Sequence, residues 1–491
     1  MKHFIRSVAA LFFLFIVQGI AAQVNPEELN KATDDLYSVF DSGNRPGCAI
    51  AVIKDGQKVY QNCFGLADLE HGISISDSTA FFLASVSKQF TGYAIAGMIR
   101  KGTLDYNAPV SRYLPEENAL WDSVRVKDLI HHTSGIWDWP YLFLAAGHSL
   151  DDVLTGSGIF QIIRSQPTLS FPAGSRFQYT SSNYVLLGEI IRRTTDMDYY
   201  DRMHTTVLDP AGMTHTFFQK DHGDIIRNRA DGYLYKQGKY ERTANNLSPV
   251  GSGFMYSTIE DMAKWMQYLL GGNSSFLPYL LQTGKLNNGN AVPYAFGLMK
   301  RGNDLYWHDG YFQGFRVVTI MNPDADFALV LLSNSGSDNI VRSAFTVARM
   351  YLSDTVPHNE LDAFKAKFRN EPQPVAKPEK EPVQALDLTA YEGIYLNKDL
   401  LICYKICRKG DALFAVNSTE QILLSPNTES HDSFRSAKPL LGRFDFEKDD
   451  NGIVTGFCLK QKRNTSLTFI RVGSNQQELQ PLPKFREIIN W

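Results

Sequence analysis

Apolar and polar positions alternate along the first 355 residues in patterns that predict both strands and helices. Short apolar runs predict buried strands, and Asp55-Gly56 between the first two runs is typical of a two-residue hairpin turn. Longer stretches place apolar residues three and four positions apart, which predicts amphipathic helices. The predicted strands are 47–53, 58–64, 315–321 and 327–333. The predicted helices are 24–45, 85–101, 182–191, 262–270 (after a capping-box pattern at 257–260) and 339–352.

The pattern changes near residue 355. Residues 368–385 contain four prolines among lysines and glutamates, which predicts a semi-extended linker. Many short strand-like runs follow within about 90 residues, and this density predicts a small β-sandwich or barrel. Asp450-Asn451-Gly452 indicates a hairpin between two of these strands. The predicted strands here are 400–407, 412–416, 422–425, 444–447, 453–459 and 467–472.

The first 22 residues have the pattern of a secretory signal peptide. Lys2 and Arg6 precede an apolar stretch at 8–17, and small residues follow, so cleavage after Ala21 or Ala22 is expected. The alternative is an uncleaved anchor helix. With cleavage, we expect a periplasmic or secreted protein that has no membrane span.

Composition excludes several classes of function. The 491 residues carry 49 Lys and Arg against 52 Asp and Glu, a formal charge of -3, without a sustained basic stretch, so nucleic acid is not an expected partner.

Five cysteines do not make a disulfide scaffold. Cys48 and Cys63 lie on neighbouring predicted strands, where a bridge and two buried thiols both remain open. Cys403 and Cys407 are too far apart along one strand to be bridged.

Metal ligands are not evident in the sequence. It has neither an H-E-x-x-H motif nor a cysteine-rich ligand cluster, so neither zinc nor another cofactor is predicted. Adjacent His131 and His132 would point in different directions, which favours a structural role. The segment after these histidines is aromatic, and its rings either line a cleft or belong to the core: Trp137, Trp139, Tyr141 and Phe143.

The first candidate for chemistry is Ser85-Val86-Ser87-Lys88, at the start of a predicted helix. A serine and a lysine three residues apart lie on one face of a helix. A serine hydroxyl needs a base to become a nucleophile, and Lys88 can be that base if burial favours its neutral amine. The alternative is an ordinary helix start with Ser85 as the N-cap and Lys88 in solvent.

Two further segments could complete such a site. Tyr179-Thr180-Ser181 precedes an apolar helix, and a phenol next to a cation can act as a general base. His308-Asp309-Gly310 precedes a predicted strand, where glycine would allow close approach to the backbone. The N–H groups of Tyr311 and Ser85 could form an oxyanion hole. Taken alone, these segments are also compatible with a core tyrosine and a turn.

In this order, Ser85-x-x-Lys88, Tyr179-x-Ser181 and His308-Asp309-Gly310 resemble the three motifs of the serine β-lactamase and penicillin-binding-protein superfamily. The chain is most similar to the class C β-lactamase-related group (family S12-like), which includes D-Ala-D-Ala carboxypeptidases, D-aminopeptidases and family VIII esterases. The stretches 102–105, 113–116, 127–136 and 253–258 fit as well, and the resemblance covers about residues 30–355.

The resemblance implies a role for each matching residue. Ser85 would be the acylated nucleophile, Lys88 and Tyr179 would share the general-base work, and His308 would line the cleft. The family usually has Asn where this chain has Ser181. Because Ser is shorter and lacks the amide, this difference weakens the expectation of β-lactam turnover more than that of acylation. Replacement by the nearby Asn183 is not favoured.

The expected architecture is an α/β (α+β) β-lactamase/DD-peptidase-like domain. The resemblance implies an antiparallel sheet made of the first two and last three strands, flanked by helices, with a helical insert beside the site. The predicted organisation is a signal peptide (1–22), this catalytic domain (24–355), a linker (356–386), a lipocalin-like β-barrel domain (387–475) and a tail (476–491).

The expected function is that of an exported serine hydrolase that forms an acyl-enzyme with a small-molecule or peptide substrate. D-amino-acid peptides, with peptidoglycan as one source, and small esters rank above β-lactams. One alternative is a penicillin-binding or sensory protein with the same fold and little turnover. Another is a structural envelope protein that acts through its C-terminal domain.

Overall fold

The computed structural model describes residues 25–473, apart from 116, 196, 272–275, 370–386, 401, 418–419, 428–431, 439–440 and 461–465. The predicted signal peptide, the predicted tail and most of the proline-rich segment therefore lie outside the described residues. Among the described residues, none of the helices is both long and apolar enough to cross a membrane.

Helices and strands alternate through the first part of the chain, and strands dominate the last part. The α-helices are α1 (Pro26–Tyr37), α2 (Lys88–Arg100), α3 (Val126–Ile130), α4 (Trp139–Ala145), α5 (Gly156–Arg164), α6 (Ser181–Thr194), α7 (Tyr199–Met203), α8 (Ile259–Leu270), α9 (Leu277–Leu280), α10 (Asp338–Ser353) and α11 (His358–Arg369). Short 3₁₀ turns lie at Ser38–Asp41, Ala84–Ser87, Val110–Arg112, Ala119–Asp122, Pro323–Ala325 and Leu388–Tyr391, and a π-helical turn lies at His204–Leu208.

The strands form one large sheet, three small ones and a closed barrel. Those before the barrel are β1 (Cys48–Lys54), β2 (Gln57–Phe64), β3 (Leu66–Asp68), β4 (Ile73–Ser74), β5 (Phe81–Phe82), β6 (Phe217–Phe218), β7 (Gly232–Lys236), β8 (Lys239–Thr243), β9 (Met255–Ser257), β10 (Met299–Arg301), β11 (Leu305–Phe312), β12 (Phe315–Asn322) and β13 (Phe327–Ser333). The barrel strands are β14 (Gly393–Asn397), β15 (Ile402–Lys409), β16 (Ala412–Val416), β17 (Gln421–Pro426), β18 (Ser433–Ser436), β19 (Arg443–Lys448), β20 (Val454–Lys460) and β21 (Ser466–Gly473).

The large sheet is antiparallel, with the strand order β10-β11-β12-β13-β1-β2. This arrangement confirms the predicted pairing of the first two strands with the last three of the domain, and adds the short edge strand β10. The β1–β2 hairpin turns at Asp55 and Gly56, whose φ angles of 52° and 72° fit a primed turn. The sequence therefore predicted this turn correctly from two residues.

Strand β1 reads as a continuous apolar run because both faces of the sheet are buried. Cys48, Ile50 and Val52 belong to a core beneath α1, α10 and α11, and the alternate residues of β1 belong to a second core on the other side. Helix α8 packs on β1 and β13 on that second side, and α2, α3 and α6 extend the helical layer. The outcome is a three-layer domain with helices on both faces of the sheet.

The helix predicted at 85–101 differs at its start from the observed one. Residues Ala84–Ser87 form a 3₁₀ turn, and the α-helix begins only at Lys88. The helix after the predicted capping box is shifted by one residue, since the Thr258 side chain accepts the Asp261 N–H and serves as the N-cap. In both cases, the element was predicted correctly and its boundary was not.

The C-terminal strands close into an eight-stranded antiparallel barrel. Six of the eight strands were predicted, and β14 and β18 were missed. The aromatic rings of residues such as Tyr395, Phe457 and Phe469 fill the interior, with Phe457 and Phe469 stacked at a centroid distance of 4.6 Å. The predicted Asn451-Gly452 hairpin joins β19 to β20, with Gly452 at φ 79°.

Part of the predicted linker 356–386 is a helix. Helix α11 buries Leu361, Phe364 and Phe368, whose spacing places them on one helical face against the first core. The prolines that follow in the sequence favoured a linker, whereas this apolar spacing indicated a helix.

The question left open about Cys48 and Cys63 has a structural answer. Ala49, and not Cys48, pairs with Cys63 across the β1–β2 hairpin, so the two thiols lie on opposite faces of the sheet. All five cysteines are free. Cys403 and Cys407 lie along the one strand β15, as predicted.

Candidate active site

A cleft of about 790 Å³ lies between the edge of the large sheet and the helical layer. Strand β11 forms one wall, and the loop before α4, with the first turn of that helix, contributes to another. The lining residues are Phe82, Ala84, Ser85, Asp138, Trp139, Pro140, Tyr141, Leu144, Leu150, Phe177, Gln178, Tyr179, Ser181, Leu247, Pro249, Ser252, Gly253, Phe254, Met299, Trp307, His308, Asp309, Tyr311, Phe312, Gln313 and Arg316.

Ser85 lies in the 3₁₀ turn that leads into α2. Side chains three residues apart eclipse each other in a 3₁₀ turn, which brings Ser85 and Lys88 together more directly than an α-helix would. The preceding residue, Ala84, has a φ of 46°, in the left-handed region that residues other than glycine rarely adopt. The turn therefore holds Ser85 at the cleft directly after a residue with a strained backbone conformation.

Lys88 is completely buried, and its Nζ lies among three oxygens. The distances from Nζ are 3.1 Å to Oγ of Ser85, 2.9 Å to the carbonyl oxygen of Ser252 and 3.4 Å to Oγ of Ser181. A buried lysine needs such partners because desolvation of an ammonium group is costly. The alternative interpretation, with Lys88 in solvent, is therefore wrong.

The segment Tyr179–Ser181 reaches the site as an extended entry to α6. Thr180 is the N-cap of α6, and Asp138 accepts hydrogen bonds from the Ser181 N–H at 2.8 Å and the Thr180 hydroxyl at 3.2 Å. The Tyr179 ring centroid lies 5.3 Å from Nζ of Lys88, within the range of a cation–π contact. Asp138 thus fixes the positions of the Tyr179 and Ser181 side chains, which flank Thr180.

His308 and Gly310 lie inside β11 and not, as predicted, before a strand. A Cβ atom on Gly310 would lie 2.4 Å from the Leu83 carbonyl oxygen and 3.1 Å from Cβ of Ala84. The glycine is therefore required for close packing of β11 on the turn that carries Ser85, and not only for approach of a substrate. Tyr311 follows at the cleft, with the Arg316 guanidinium 3.9 Å from its ring centroid.

Tyr294 was not singled out in the sequence, yet it connects the two histidine regions. Its hydroxyl lies 3.0 Å from Nε2 of His308, and its carbonyl oxygen accepts a hydrogen bond from Nδ1 of His131 at 2.9 Å. The His132 ring packs 4.4 Å from the rings of both Tyr294 and Tyr179. His131 and His132 therefore support the site from the core, which agrees with their expected structural role.

Two more features could not be read from the sequence as parts of a site. The Ser252 carbonyl has no side-chain signal, and Asp138 belongs to a loop with no recognised motif. Asn183 is buried and bonded to Ser134 and His132, so it serves the core and does not take the place of the expected asparagine.

The aromatic segment 137–143 divides between the two roles left open in the sequence. Trp139 and Tyr141 line the cleft, whereas Trp137 and Phe143 pack in the core. With Phe82, Phe177 and Phe254 also at the cleft, its walls are largely aromatic. Such walls suit a substrate with an apolar group next to the reacting carbonyl.

Of the seven predicted site residues, five line the cleft: Ser85, Tyr179, Ser181, His308 and Tyr311. Lys88 contacts Ser85 from a buried position, and Gly310 packs against the Ser85 turn. A hydroxyl, a buried amine, a phenol and an imidazole thus meet at one cleft. This set of groups is suited to nucleophilic attack and proton transfer.

Comparison with known proteins agrees with this geometry. The family model described as Beta-lactamase matches residues 27–348, about two thirds of the chain. Protein flp of Staphylococcus aureus (strain MRSA252) is 26% identical over 317 residues, 61% of this chain and 62% of that protein. The chain therefore covers less than two thirds of the length of this relative.

Two further similarities extend over more of the chain. Penicillin-binding protein 4* of Bacillus subtilis (strain 168) is 24% identical over 396 residues, 75% of this chain and 83% of that protein. The solved structure of the octameric penicillin-binding protein homologue from Pyrococcus abyssi shares the fold at a TM-score of 0.58 and 21% identity, over 90% of this chain and 100% of that one. From the match over residues 27–348 and the shared fold, the chain belongs to the beta-lactamase family.

Proposed function

We propose that the protein is a serine hydrolase that cleaves an amide or an ester through an acyl-enzyme on Ser85. The contact that carries the proposal is that between Ser85 Oγ and the buried Nζ of Lys88, at 3.1 Å, on the wall of an aromatic cleft. A role as a base accounts for a buried lysine next to a cleft serine. A purely structural site would not need a lysine at this position.

A base requires the neutral amine of Lys88, and complete burial disfavours the charged ammonium. Two of its neighbours, the Ser252 carbonyl and Ser181 Oγ, can accept the two N–H groups of an amine. The nitrogen lone pair of the neutral amine can then accept the hydrogen of the Ser85 hydroxyl, whose Oγ lies 3.1 Å away. In this form, Ser85 donates its proton to Lys88 as its oxygen attacks.

The reaction then proceeds in two halves. Ser85 Oγ bonds to the carbonyl carbon, Lys88 takes the proton with Tyr179 nearby, and the N–H groups of Ser85 and Tyr311 hold the developing oxyanion. The leaving amine or alcohol takes the proton as its bond to carbon breaks, which leaves Ser85 acylated. In the second half, water attacks the acyl carbonyl in the same way, and the acid is released as its bond to Ser85 breaks.

Labelling with a fluorophosphonate and with a fluorescent penicillin tests this proposal. We expect the wild type to gain the mass of one adduct, and Ser85→Ala to gain none, because the proposed nucleophile is removed. Ser87→Ala is the matched control, since Ser87 is a buried serine of the same turn. Equal labelling of wild type and Ser85→Ala would rule out Ser85 as the nucleophile.

A second candidate is a penicillin-binding or sensory protein that stays acylated. The observation in its favour is Ser181, whose contact with Lys88 is long at 3.4 Å and lacks the amide of the usual asparagine. The lifetime of the adduct separates the two candidates when it is followed by intact mass. Loss of the acyl group within minutes supports the hydrolase, and persistence for hours supports the sensor.

Among substrates, we rank D-amino-acid peptides, including peptidoglycan fragments, and small esters above β-lactams. The same Ser181 contact supports this order. We also propose export to the periplasm or secretion, on the charge and apolar pattern of residues 1–22. N-terminal sequencing of the mature protein tests the export proposal, and a start at Ala22 or Gln23 is expected.

A further inference from the structure

Helix α4 lies between the cleft and the C-terminal barrel. Its residues Trp139, Pro140, Tyr141 and Leu144 line the cleft, and the loop residue Asp138 before it holds the start of α6. The position of α4 therefore helps to set the shape of one cleft wall. It also helps to set the positions of Tyr179 and Ser181 at the start of α6.

Two buried hydrogen bonds attach α4 to the barrel. The Tyr141 hydroxyl donates to the carbonyl oxygen of Leu459 on β20 at 2.8 Å. In the opposite direction, the Tyr404 hydroxyl on β15 donates to the carbonyl oxygen of Ala145, the last residue of α4, at 2.9 Å. Each domain thus contributes one tyrosine donor and one backbone acceptor.

These bonds have the features of a specific attachment. Ala145 presents one of the terminal carbonyls that a helix cannot satisfy internally, at the negative end of its dipole. Both tyrosines are almost fully buried, and burial raises the pKa of each well above its ordinary value, so both remain protonated donors. Loss of either hydroxyl would leave a buried carbonyl without this donor.

The barrel supports α4 from a closely packed aromatic interior. The Tyr404 ring packs edge-on against Phe444 and Phe469 in the barrel interior, at centroid distances of 5.7 and 5.6 Å. The Tyr404 hydroxyl therefore extends from a packed aromatic core to the end of the helix. A shift of α4 away from the barrel would break this bond.

We propose that the barrel positions the cleft wall, with Tyr404 and Tyr141 as positioning residues that fix α4 and thereby select the acyl group of the substrate. The selectivity part of this inference rests on the proposed hydrolase function, whereas the attachment of α4 does not. The inference places the acyl group of the substrate against the α4 wall, so substrates with a bulky acyl group should depend most on the attachment.

Tyr404→Phe is the informative variant, because Tyr404 lies outside the cleft lining and the change removes only one oxygen. Tyr395→Phe is the matched control: it removes another buried hydroxyl of the barrel, one that donates to Tyr391 at 2.8 Å within the same domain. We expect kcat/KM for a bulky ester to fall about three- to tenfold more than that for an acetyl ester in Tyr404→Phe, mainly through KM. In Tyr395→Phe the two esters should change equally.

Amide hydrogen exchange over residues 139–145 gives a readout that needs no turnover. We expect exchange there to become faster in Tyr404→Phe and to stay at the wild-type rate in Tyr395→Phe. Equal exchange and equal ester selectivity in both variants would overturn the inference. Absence of Ser85 labelling in the wild type would instead contradict the proposed function, and the exchange result would still decide whether the barrel positions α4.

Discussion

The hydrogen bonds of His308 determine which of its ring nitrogens carries a proton. Nδ1 lies 2.7 Å from the carbonyl oxygen of Asp309, which can only accept, so Nδ1 carries hydrogen. In neutral His308, Nε2 is then an acceptor for the Tyr294 hydroxyl. Burial holds the pKa of Tyr294 well above its ordinary value, so this phenol remains a donor.

Tyr294→Phe should therefore slow acylation without creating a cavity in the core. The ring remains, and the hydroxyl that donates to His308 and also bonds to the Tyr184 hydroxyl is lost, so we expect the rate of fluorophosphonate labelling to fall about three- to tenfold. Tyr106→Phe is the control, because Tyr106 forms an equivalent pair with Nε2 of His131 at 2.9 Å, away from the cleft lining. An equal fall in the two variants would show that Tyr294 acts through stability alone.

At the scale of elements, the site depends on how closely β11 packs against the 3₁₀ turn of Ser85. The sequence identified the serine, the lysine and the glycine, because each belongs to a short motif. It did not show that Gly310 faces the Leu83 carbonyl, since those residues are more than 200 positions apart in the chain. Local spacing therefore predicted which residues matter and not what each one contacts.

Gly310→Ala tests this packing. The added Cβ would meet the Leu83 carbonyl oxygen at 2.4 Å and Cγ2 of Val317 at 2.6 Å, so β11 must move away from the turn. We expect a loss of about 1–3 kcal/mol in the free energy of unfolding and at least about tenfold slower labelling of Ser85.

Gly97→Ala is the matched control for this change. Gly97 lies in α2, and a Cβ there meets no atom within 4 Å. Alanine at this position should raise the free energy of unfolding by about 0.5–1 kcal/mol and leave labelling as in the wild type. Wild-type labelling in Gly310→Ala would show that β11 does not position the turn.

At the scale of the whole molecule, His131 couples stability to pH. Burial, with a smaller contribution from Lys127, lowers the pKa of His131 from 6.5 to about 4. Between these two values, the unfolded chain takes up a proton that the folded chain does not. The stabilising contribution of neutral His131 is therefore complete above pH 6.5 and is lost as the pH falls towards 4.

Urea unfolding at pH 7.5 and pH 4.5 measures this contribution. In His131→Gln, the fall in the free energy of unfolding between these pH values should be about 2–3 kcal/mol smaller than in the wild type. His71→Gln should change the fall in the opposite direction, because the hydrogen bond that the His71 ring donates to the Asp68 carboxylate raises the pKa of His71. A wild-type pH dependence in His131→Gln would contradict the assignment.

The sequence by itself determined the elements and the reacting groups. Strand β1, the Asp55-Gly56 turn and the Ser85–Lys88 pair follow from periodicity, turn chemistry and spacing, all of which are local. Only the tertiary structure decided that Ser252 offers its carbonyl to Lys88, that Tyr294 meets His308 and that Tyr404 holds α4. These contacts join distant segments through backbone oxygens and single hydroxyls, which leave no pattern in the sequence because almost any residue can supply a carbonyl.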